Sequence, residues 1–206
     1  PRLAAFARAQ LPANIAVAAV ANFPHGNADV QQAARDTDAI VQSGAQEVDV
    51  VLPYLQLMAG DDSAVTALLA AVRKASEGLR LKVILETGVL QDDALIKRAC
   101  RLSLDAGADF LKTSTGKTPV SATPQAARTL LAAIANDPRY SARIGFKPSG
   151  GIRAVADAAT YIALTEEYLG TAALKPLRFR IGASSILSDI EAVLDDRTAP
   201  AAAGTY

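Results

Sequence analysis

Short apolar runs alternate with longer amphipathic stretches along the whole chain. The runs are rich in Val, Ile and Leu, and each starts about 30 to 35 residues after the previous one. Because that interval is the length of one strand, one helix and two loops, the pattern predicts repeated βα units. The six predicted strands span residues 15–23, 47–54, 81–88, 109–116, 144–151 and 179–185.

Local signals at the boundaries support helices between these strands. Thr123 followed by Pro124 is typical of an N-cap with proline at the first helical position. Gly44 and Gly107 each precede an acidic strand entrance and are typical of the glycine that ends a helix. The predicted helices span residues 1–10, 27–43, 62–77, 91–106, 124–136, 153–169 and 185–195.

Strands that alternate with helices pair in parallel, either in an open doubly wound sheet or in a (β/α)₈ barrel. Polar residues follow many of the strands, and no GxGxxG follows the first one. Both observations favour a TIM (β/α)₈-type barrel, whose site collects side chains from several strand ends.

The number of βα units is smaller than a closed barrel requires. Six units occupy the whole chain of 206 residues, whereas a closed barrel has eight strands. The first helix, 1–10, also has no strand before it. We therefore expect a single barrel domain over 1–206 that lacks one or two N-terminal strands, with a mobile tail at 197–206.

Composition excludes several classes of partner. Lys plus Arg and Asp plus Glu number 21 each, and no long basic stripe occurs in the sequence, which argues against nucleic acid as the main partner. No run of 18 apolar residues is present, so we expect no membrane span. The single cysteine, Cys100, fits a reducing cytoplasm, and no cluster has metal-ligand spacing. We expect neither a metal nor a cofactor; the oligomeric state stays open, with a homodimer as one option.

Candidate chemistry comes from lysines within strands. Because side chains alternate in direction along a strand, Asp49, Lys82, Lys112 and Lys147 should all point into the barrel if their aliphatic neighbours face the helices. Burying an unpaired ammonium costs several kcal/mol, which favours a neutral, nucleophilic amine. The alternative is that each lysine reaches solvent at the rim or pairs with Glu47, Asp49 or Glu86.

A second ammonium strengthens the case for amine chemistry. At the spacing of adjacent strands, about 5 Å, repulsion between Lys112 and Lys147 would be about 3 kcal/mol at an effective dielectric near 20. Repulsion of that size increases the fraction of the lysine that is neutral at pH 7 by about a hundredfold or more. Because a carboxylate opposes this effect, we expect Asp49 to lie closer to Lys147 or to the path of the proton than to Lys112.

Glycine-bearing loops follow the last three predicted strands, at 114–117, 148–153 and 182–185. Amides at glycine turns and helix N-termini bind anions, and Lys117 and Arg153 add positive charge. Many barrels hold a phosphate after their last two strands. The loops therefore predict a phosphate site.

Six motifs together resemble the deoxyribose-phosphate aldolase family. The resemblance implies a class I aldolase that cleaves 2-deoxy-D-ribose 5-phosphate reversibly to acetaldehyde and D-glyceraldehyde 3-phosphate, as in deoxyribose phosphate catabolism. The motifs occur in the family's order along the chain: NFPHG, EVDVVLPY, LKVILETG, ADFLKTSTGK, GFKPSGGIR and RIGASSIL.

The same resemblance implies roles for individual residues. Lys112 matches the Schiff-base lysine, Lys147 the second lysine that perturbs it, and Asp49 a proton-relay carboxylate. Tyr206 matches a terminal tyrosine linked to proton transfer. The implied substrate-binding residues are Lys82, Gly116, Lys117, Gly150, Gly151, Gly182, Ser184 and Ser185.

Two other functions stay open at this point. A phosphosugar isomerase on the same barrel would use Asp49 and Glu86 as acid and base, without a covalent step. A truncated, non-catalytic barrel would bind a phosphosugar without turning it over.

Overall fold

The computed structural model describes residues 3–195, in which helices and strands alternate as the hydrophobic pattern predicts. Five strands form one parallel sheet, and their order in the sheet follows their order in the chain. They are β1 (Ala18–Ala21), β2 (Glu47–Val51), β3 (Arg80–Ile84), β4 (Phe110–Lys112) and β5 (Gly145–Lys147).

The sixth predicted strand does not form a continuous strand. Segment 179–182 lies parallel to β5 but joins it only through two isolated bridges, at Phe146–Phe179 and Ser149–Gly182. Pro148 lies between these bridges and has no N–H to donate, so the ladder is interrupted there. The prediction of a regular strand over 179–185 was therefore wrong, although the segment lies beside β5, where the sixth strand was expected.

Helices follow the strands, and their ends carry the predicted capping residues. The Thr123 side chain accepts a hydrogen bond from the amide of Ala126, with Pro124 at the first helical position. The longer helices are α1 (Ala4–Gln10), α2 (Val30–Gln42), α4 (Asp62–Ala75), α6 (Asp93–Asp105), α7 (Pro124–Ala135), α9 (Val155–Leu169) and α10 (Leu187–Leu194).

Three short helices lie in what the pattern predicted to be strand ends or loops. They are shorter than the windows from which helical periodicity can be recognised. These are α3 (Tyr54–Met58), α5 (Thr87–Leu90) and α8 (Pro138–Ser141), and a 3₁₀ turn follows α9 at Thr171–Ala173.

The sheet curves into a partial barrel with the helices outside. The guanidinium of Arg180, in the segment beyond β5, lies 3.0 Å from Glu47 of β2, so the two sides of the sheet face each other. Val48, Val50 and Leu111 point the other way and are fully buried in the core formed with the helices. The predicted α/β barrel fold class is confirmed as a partial barrel. Within residues 3–195 no helix is long and apolar enough to cross a bilayer.

Candidate active site

The register of the parallel sheet brings the predicted site residues together. Asp49 on β2 lies opposite Lys82 on β3, and Lys112 on β4 lies opposite Lys147 on β5. All four residues are on the face of the sheet that points away from the helices. The period-2 alternation therefore predicted correctly that these four side chains share one face.

Asp49 binds all three lysines. Its Oδ1 accepts from the ammonium of Lys82 at 2.6 Å, while Oδ2 lies 3.0 Å from Lys112 Nζ and 2.8 Å from Lys147 Nζ. The ammonium groups of Lys112 and Lys147 are thus neighbours on one oxygen atom. Pairing of the lysines with a carboxylate, the alternative explanation, occurs, but one carboxylate serves three cations.

The three lysines differ in access. The side chain of Lys82 is fully enclosed, whereas those of Lys112 and Lys147 retain 10% and 16% exposure. A molecule entering the barrel can therefore reach Lys112 and Lys147 but not Lys82. The resemblance implied that Lys82 binds substrate; the structure places its ammonium between two interior carboxylates, those of Glu47 and Asp49.

A second buried carboxylate, Glu47, extends the cluster toward the amino ends of the strands. Its Oε2 lies 2.6 Å from Lys82 Nζ, and its Oε1 lies 2.9 Å from Arg80 and 3.0 Å from Arg180. Two carboxylates therefore serve five cationic side chains in the interior. Pairing of a strand lysine with Glu47 was part of the alternative explanation, whereas its contacts with Arg80 and Arg180 were not expected from the sequence.

The excess of positive charge determines how the two carboxylates ionise. Burial alone would raise the pKa of Asp49, but the charges of Lys112, Lys147 and Lys82 outweigh burial and hold that pKa well below its ordinary value. Burial opposes ionisation of Glu47 as well, and Lys82, Arg180 and Arg80 lower its pKa. Both groups are anionic at neutral pH.

The environment also lowers the pKa of Lys147, which for an amine disfavours the charged form. Burial is the largest cause that lowers the pKa of Lys147, and the charge of Lys112 adds to it, while Asp49 opposes both. The ammonium of Lys147 therefore loses its proton more readily than that of an ordinary lysine.

The glycine loops meet beside the lysines. A Cβ placed on Gly116 would lie 3.6 Å from Gly150 Cα, and the amide of Gly150 donates to the carbonyl of Gly182 at 3.2 Å. A Cβ on Gly182 would lie 3.4 Å from Lys147 Cε. The exposed predicted binding residues surround this junction: Gly116, Lys117, Gly151, Ser184 and Ser185.

Several backbone amides at this junction are available to an anion. In the part of the chain that the structure describes, the amides of Gly116, Gly151, Ser184 and Ser185 donate to no acceptor. Exposed amides of this kind, near cationic side chains, suit a phosphate group.

Glu86 lies outside the lysine cluster. Its carboxylate accepts hydrogen bonds from the amide and the hydroxyl of Thr115, whereas Asp49 binds lysines. An isomerase that used Asp49 and Glu86 as a cooperating acid and base would need them at one reacting centre, so their separate partners do not favour that reading.

Two further expectations from the sequence concerned the C-terminal tail and a metal site. Tyr206 and the tail at 197–206 lie outside the described residues. Across residues 3–195, no group of three His, Cys, Asp or Glu side chains lies close enough to hold a metal ion.

Comparison with known proteins agrees with this geometry. A family model described as DeoC/LacD family aldolase matches residues 1–186. The apo structure of a candidate deoxyribose-phosphate aldolase from Toxoplasma gondii ME49 matches with a TM-score of 0.83 and 26% identity, covering 95% of this chain and 78% of that chain.

Two other solved structures are similar over most of this chain. A candidate deoxyribose-phosphate aldolase from Coccidioides immitis matches with a TM-score of 0.78 and 29% identity, covering 90% of this chain and 67% of that chain. A deoxyribose phosphate aldolase from Aeropyrum pernix, described as having a unique tetrameric structure, matches with a TM-score of 0.72 and 26% identity, covering 94% and 73%.

Fold and site together define a partial (β/α) barrel with a buried lysine cluster at its centre. Given the family match over most of its length, the chain belongs to the DeoC/LacD family of aldolases. The family resemblance noted from the sequence motifs is confirmed, and so is the general class of aldolase.

Proposed function

We propose that the protein is a class I aldolase that cleaves 2-deoxy-D-ribose 5-phosphate reversibly to acetaldehyde and D-glyceraldehyde 3-phosphate. The observation that carries this proposal is the pair of accessible lysines, Lys112 and Lys147, on one oxygen of a buried carboxylate. The glycine loops next to this pair supply a second contact point for a substrate with a phosphate at its far end.

Lys112 is the nucleophile in this proposal. Lys82 is enclosed, so the choice lies between Lys112 and Lys147. The KTSTGK motif matches Lys112 to the family's Schiff-base lysine. Lys147 contacts the same oxygen of Asp49 as Lys112, so a proton can pass between the two amines through that carboxylate.

The reaction then proceeds through an iminium ion. The neutral amine of Lys112 adds to the aldehyde carbon of the open-chain sugar, and loss of water gives the iminium. Removal of the proton from the C3 hydroxyl breaks the C2–C3 bond, which releases glyceraldehyde 3-phosphate and leaves an enamine. Protonation of the enamine at C2 and hydrolysis release acetaldehyde and restore the amine.

Asp49, water and Tyr206 are the proposed proton carriers, and the glycine loops hold the phosphate. Binding of the far end aligns the scissile bond with Lys112, so binding energy contributes to catalysis. A phosphorylated substrate also fits a cytoplasmic enzyme of deoxyribose phosphate catabolism.

The direct test is product formation from purified protein. Incubation with 2-deoxyribose 5-phosphate should release acetaldehyde and glyceraldehyde 3-phosphate in equal amounts. Conversion of the sugar to an isomer without acetaldehyde would support an isomerase instead. Binding of the sugar by calorimetry without turnover would support a non-catalytic barrel.

Replacing Lys147 with leucine should change both the rate and its pH dependence. Because the lowered pKa of Lys147 lies below the ordinary lysine value near 10.4, we expect the wild-type rate to rise with pH below that range. In Lys147→Leu the rise should move to higher pH, and kcat/KM at pH 7 should fall about 100-fold. Lys97→Leu, on the exposed side of α6, is the matched control and should change neither. An unchanged profile and rate for Lys147→Leu would remove this residue from the site.

Replacing Gly150 with alanine should weaken phosphate binding. Gly150 has φ +82°, and an added Cβ would lie 2.6 Å from the Ser121 side chain and 3.0 Å from Gly116 Cα, so the loops must separate. We expect KM for the phosphorylated sugar to rise about tenfold, on the scale of one lost charge-assisted hydrogen bond. Gly78→Ala controls for strain, because Gly78 has φ +81° with nothing within 4 Å. Equal KM values for the two variants would count against the phosphate role of these loops.

A further inference from the structure

Glu86 is a fully buried carboxylate that the proposed reaction does not use. It lies just beyond β3, and its backbone is left-handed, with φ 54° and ψ 54°. This conformation is uncommon for a residue with a long side chain. Strained residues of this kind persist where the surrounding structure holds them, and they concentrate at functional sites.

Within the described part of the chain, the hydrogen-bond donors to the carboxylate of Glu86 come from the loop between β4 and α7. The amide of Thr115 lies 3.3 Å from each carboxylate oxygen, and the hydroxyl of Thr115 donates to Oε2. The hydroxyl of Thr118 lies 3.3 Å from Oε1 and 2.8 Å from the carbonyl oxygen of Val120 in the same loop. Among residues 3–195, no lysine, arginine or histidine forms an ion pair with Glu86. Because a buried charge needs hydrogen bonds, the loop must keep these donors in place. We call Glu86, Thr115 and Thr118 the threonine clamp.

The clamp reaches the proposed phosphate contacts through Thr115. The hydroxyl of Thr115 donates to Glu86 and accepts from the amide of Lys117 at 3.1 Å. Gly116, between these two residues, has φ +78° and packs against Gly150 of the next loop. The carboxylate of Glu86 thereby sets the turn that presents Gly116 and Lys117.

We propose that Glu86 is a positioning residue for the phosphate of the substrate and increases selectivity for phosphorylated over unphosphorylated aldehydes. It acts through the loop and touches neither the substrate nor the lysines. This inference rests on the proposed function, since it concerns the same substrate, but it predicts a separate experimental effect. Loss of the clamp should affect the phosphate end and spare the amine end.

The test measures the two ends separately in Glu86→Gln, Thr118→Val and the wild type. Titration with inorganic phosphate by calorimetry reports on the loop. The rate of borohydride-trapped adduct formation with acetaldehyde, which carries no phosphate, reports on the amine. Thr160→Val, an exposed threonine on α9, is the matched control for loss of a hydroxyl.

We expect Glu86→Gln to weaken phosphate binding about tenfold, the scale of one lost hydrogen bond to a charged group, and to leave the acetaldehyde adduct rate within twofold. Thr118→Val should weaken phosphate binding about threefold, since it removes a neutral hydroxyl that lies beside Glu86 and donates to Val120 in the same loop. If Glu86→Gln does not fold, the phosphate affinity of Thr118→Val decides whether the clamp positions the loop. Thr160→Val should match the wild type in both measurements.

Two results would overturn the inference. One is unchanged phosphate affinity in folded Thr118→Val and Glu86→Gln; the other is an equal loss in both measurements, which indicates a general effect on the fold. Failure of the wild type to form any acetaldehyde adduct would instead refute the proposed function. In that case the phosphate titration would still decide whether the clamp positions the loop.

Discussion

Lys112→Met should lower kcat/KM for 2-deoxyribose 5-phosphate by about 10⁴-fold or more, as removal of a nucleophile or its essential partner does in other enzymes. Methionine has a similar length but no amine, so it can form no iminium. Steady-state assay of acetaldehyde release measures the effect. The affinity for inorganic phosphate should not change, because the glycine loops keep their positions.

The fold should tolerate this change. Asp49 still accepts from Lys82 and Lys147 in the variant, and one like charge leaves the interior. We therefore expect the free energy of unfolding to stay within about 1.5 kcal/mol of the wild-type value. Lys97→Met is the control for loss of an exposed amine and should retain full activity. Substantial turnover by folded Lys112→Met would show that another lysine carries the reaction.

Asp49→Asn should have the largest effect on stability. The asparagine leaves three buried lysines without the carboxylate that they share. Removing one partner of a buried ion pair costs about 3–5 kcal/mol, so we expect a loss of that order in the free energy of unfolding. Activity should fall as well, because the proposed proton carrier is gone. Urea denaturation at neutral pH measures the first effect, and product assay the second.

The pH dependence of stability provides a second measure of the same group. Because the pKa of Asp49 is lower in the folded than in the unfolded protein, its stabilising contribution is present above the ordinary value near 3.9. That contribution is lost as the pH falls further, toward the folded-state pKa. Wild-type stability should therefore drop below about pH 4 more steeply than that of Asp49→Asn.

An exposed ion pair supplies the comparison for Asp49→Asn. Glu167 lies 3.3 Å from Arg128, and both side chains are about half exposed. Since exposed pairs contribute at most about 1 kcal/mol, Glu167→Gln should change stability by less than that. If Asp49→Asn and Glu167→Gln lost the same small amount of unfolding free energy, Asp49 would not hold the three lysines together as the structure indicates.

The hydrophobic pattern predicted which side chains share the inner face of the sheet because its period of two is a property of each strand alone. Asp49 and Lys82 are opposite each other because β2 and β3 pair in parallel, and alternation puts their side chains on one face. The same reasoning applies to Lys112 and Lys147. No knowledge of the curvature of the sheet was needed.

The connection between Glu47 and Arg180 could not be predicted in this way. The two residues are 133 positions apart, and they meet only because the sheet curves until its two sides face each other. The sequence pattern also did not predict the left-handed backbone of Glu86 or the short helices α3 and α5. They depend on tertiary contacts rather than on periodicity over several turns. Tyr206 lies outside the described residues, so its role stays a prediction.

The most direct test of the central claim, a reactive amine at Lys112, is reductive trapping. The wild-type protein is incubated with acetaldehyde and sodium borohydride, digested and mapped by mass spectrometry. The account predicts one ethyl group on the peptide that contains Lys112, and its absence from Lys112→Met. An adduct on Lys147 alone, or no adduct in folded protein that still releases acetaldehyde from 2-deoxyribose 5-phosphate, would contradict it.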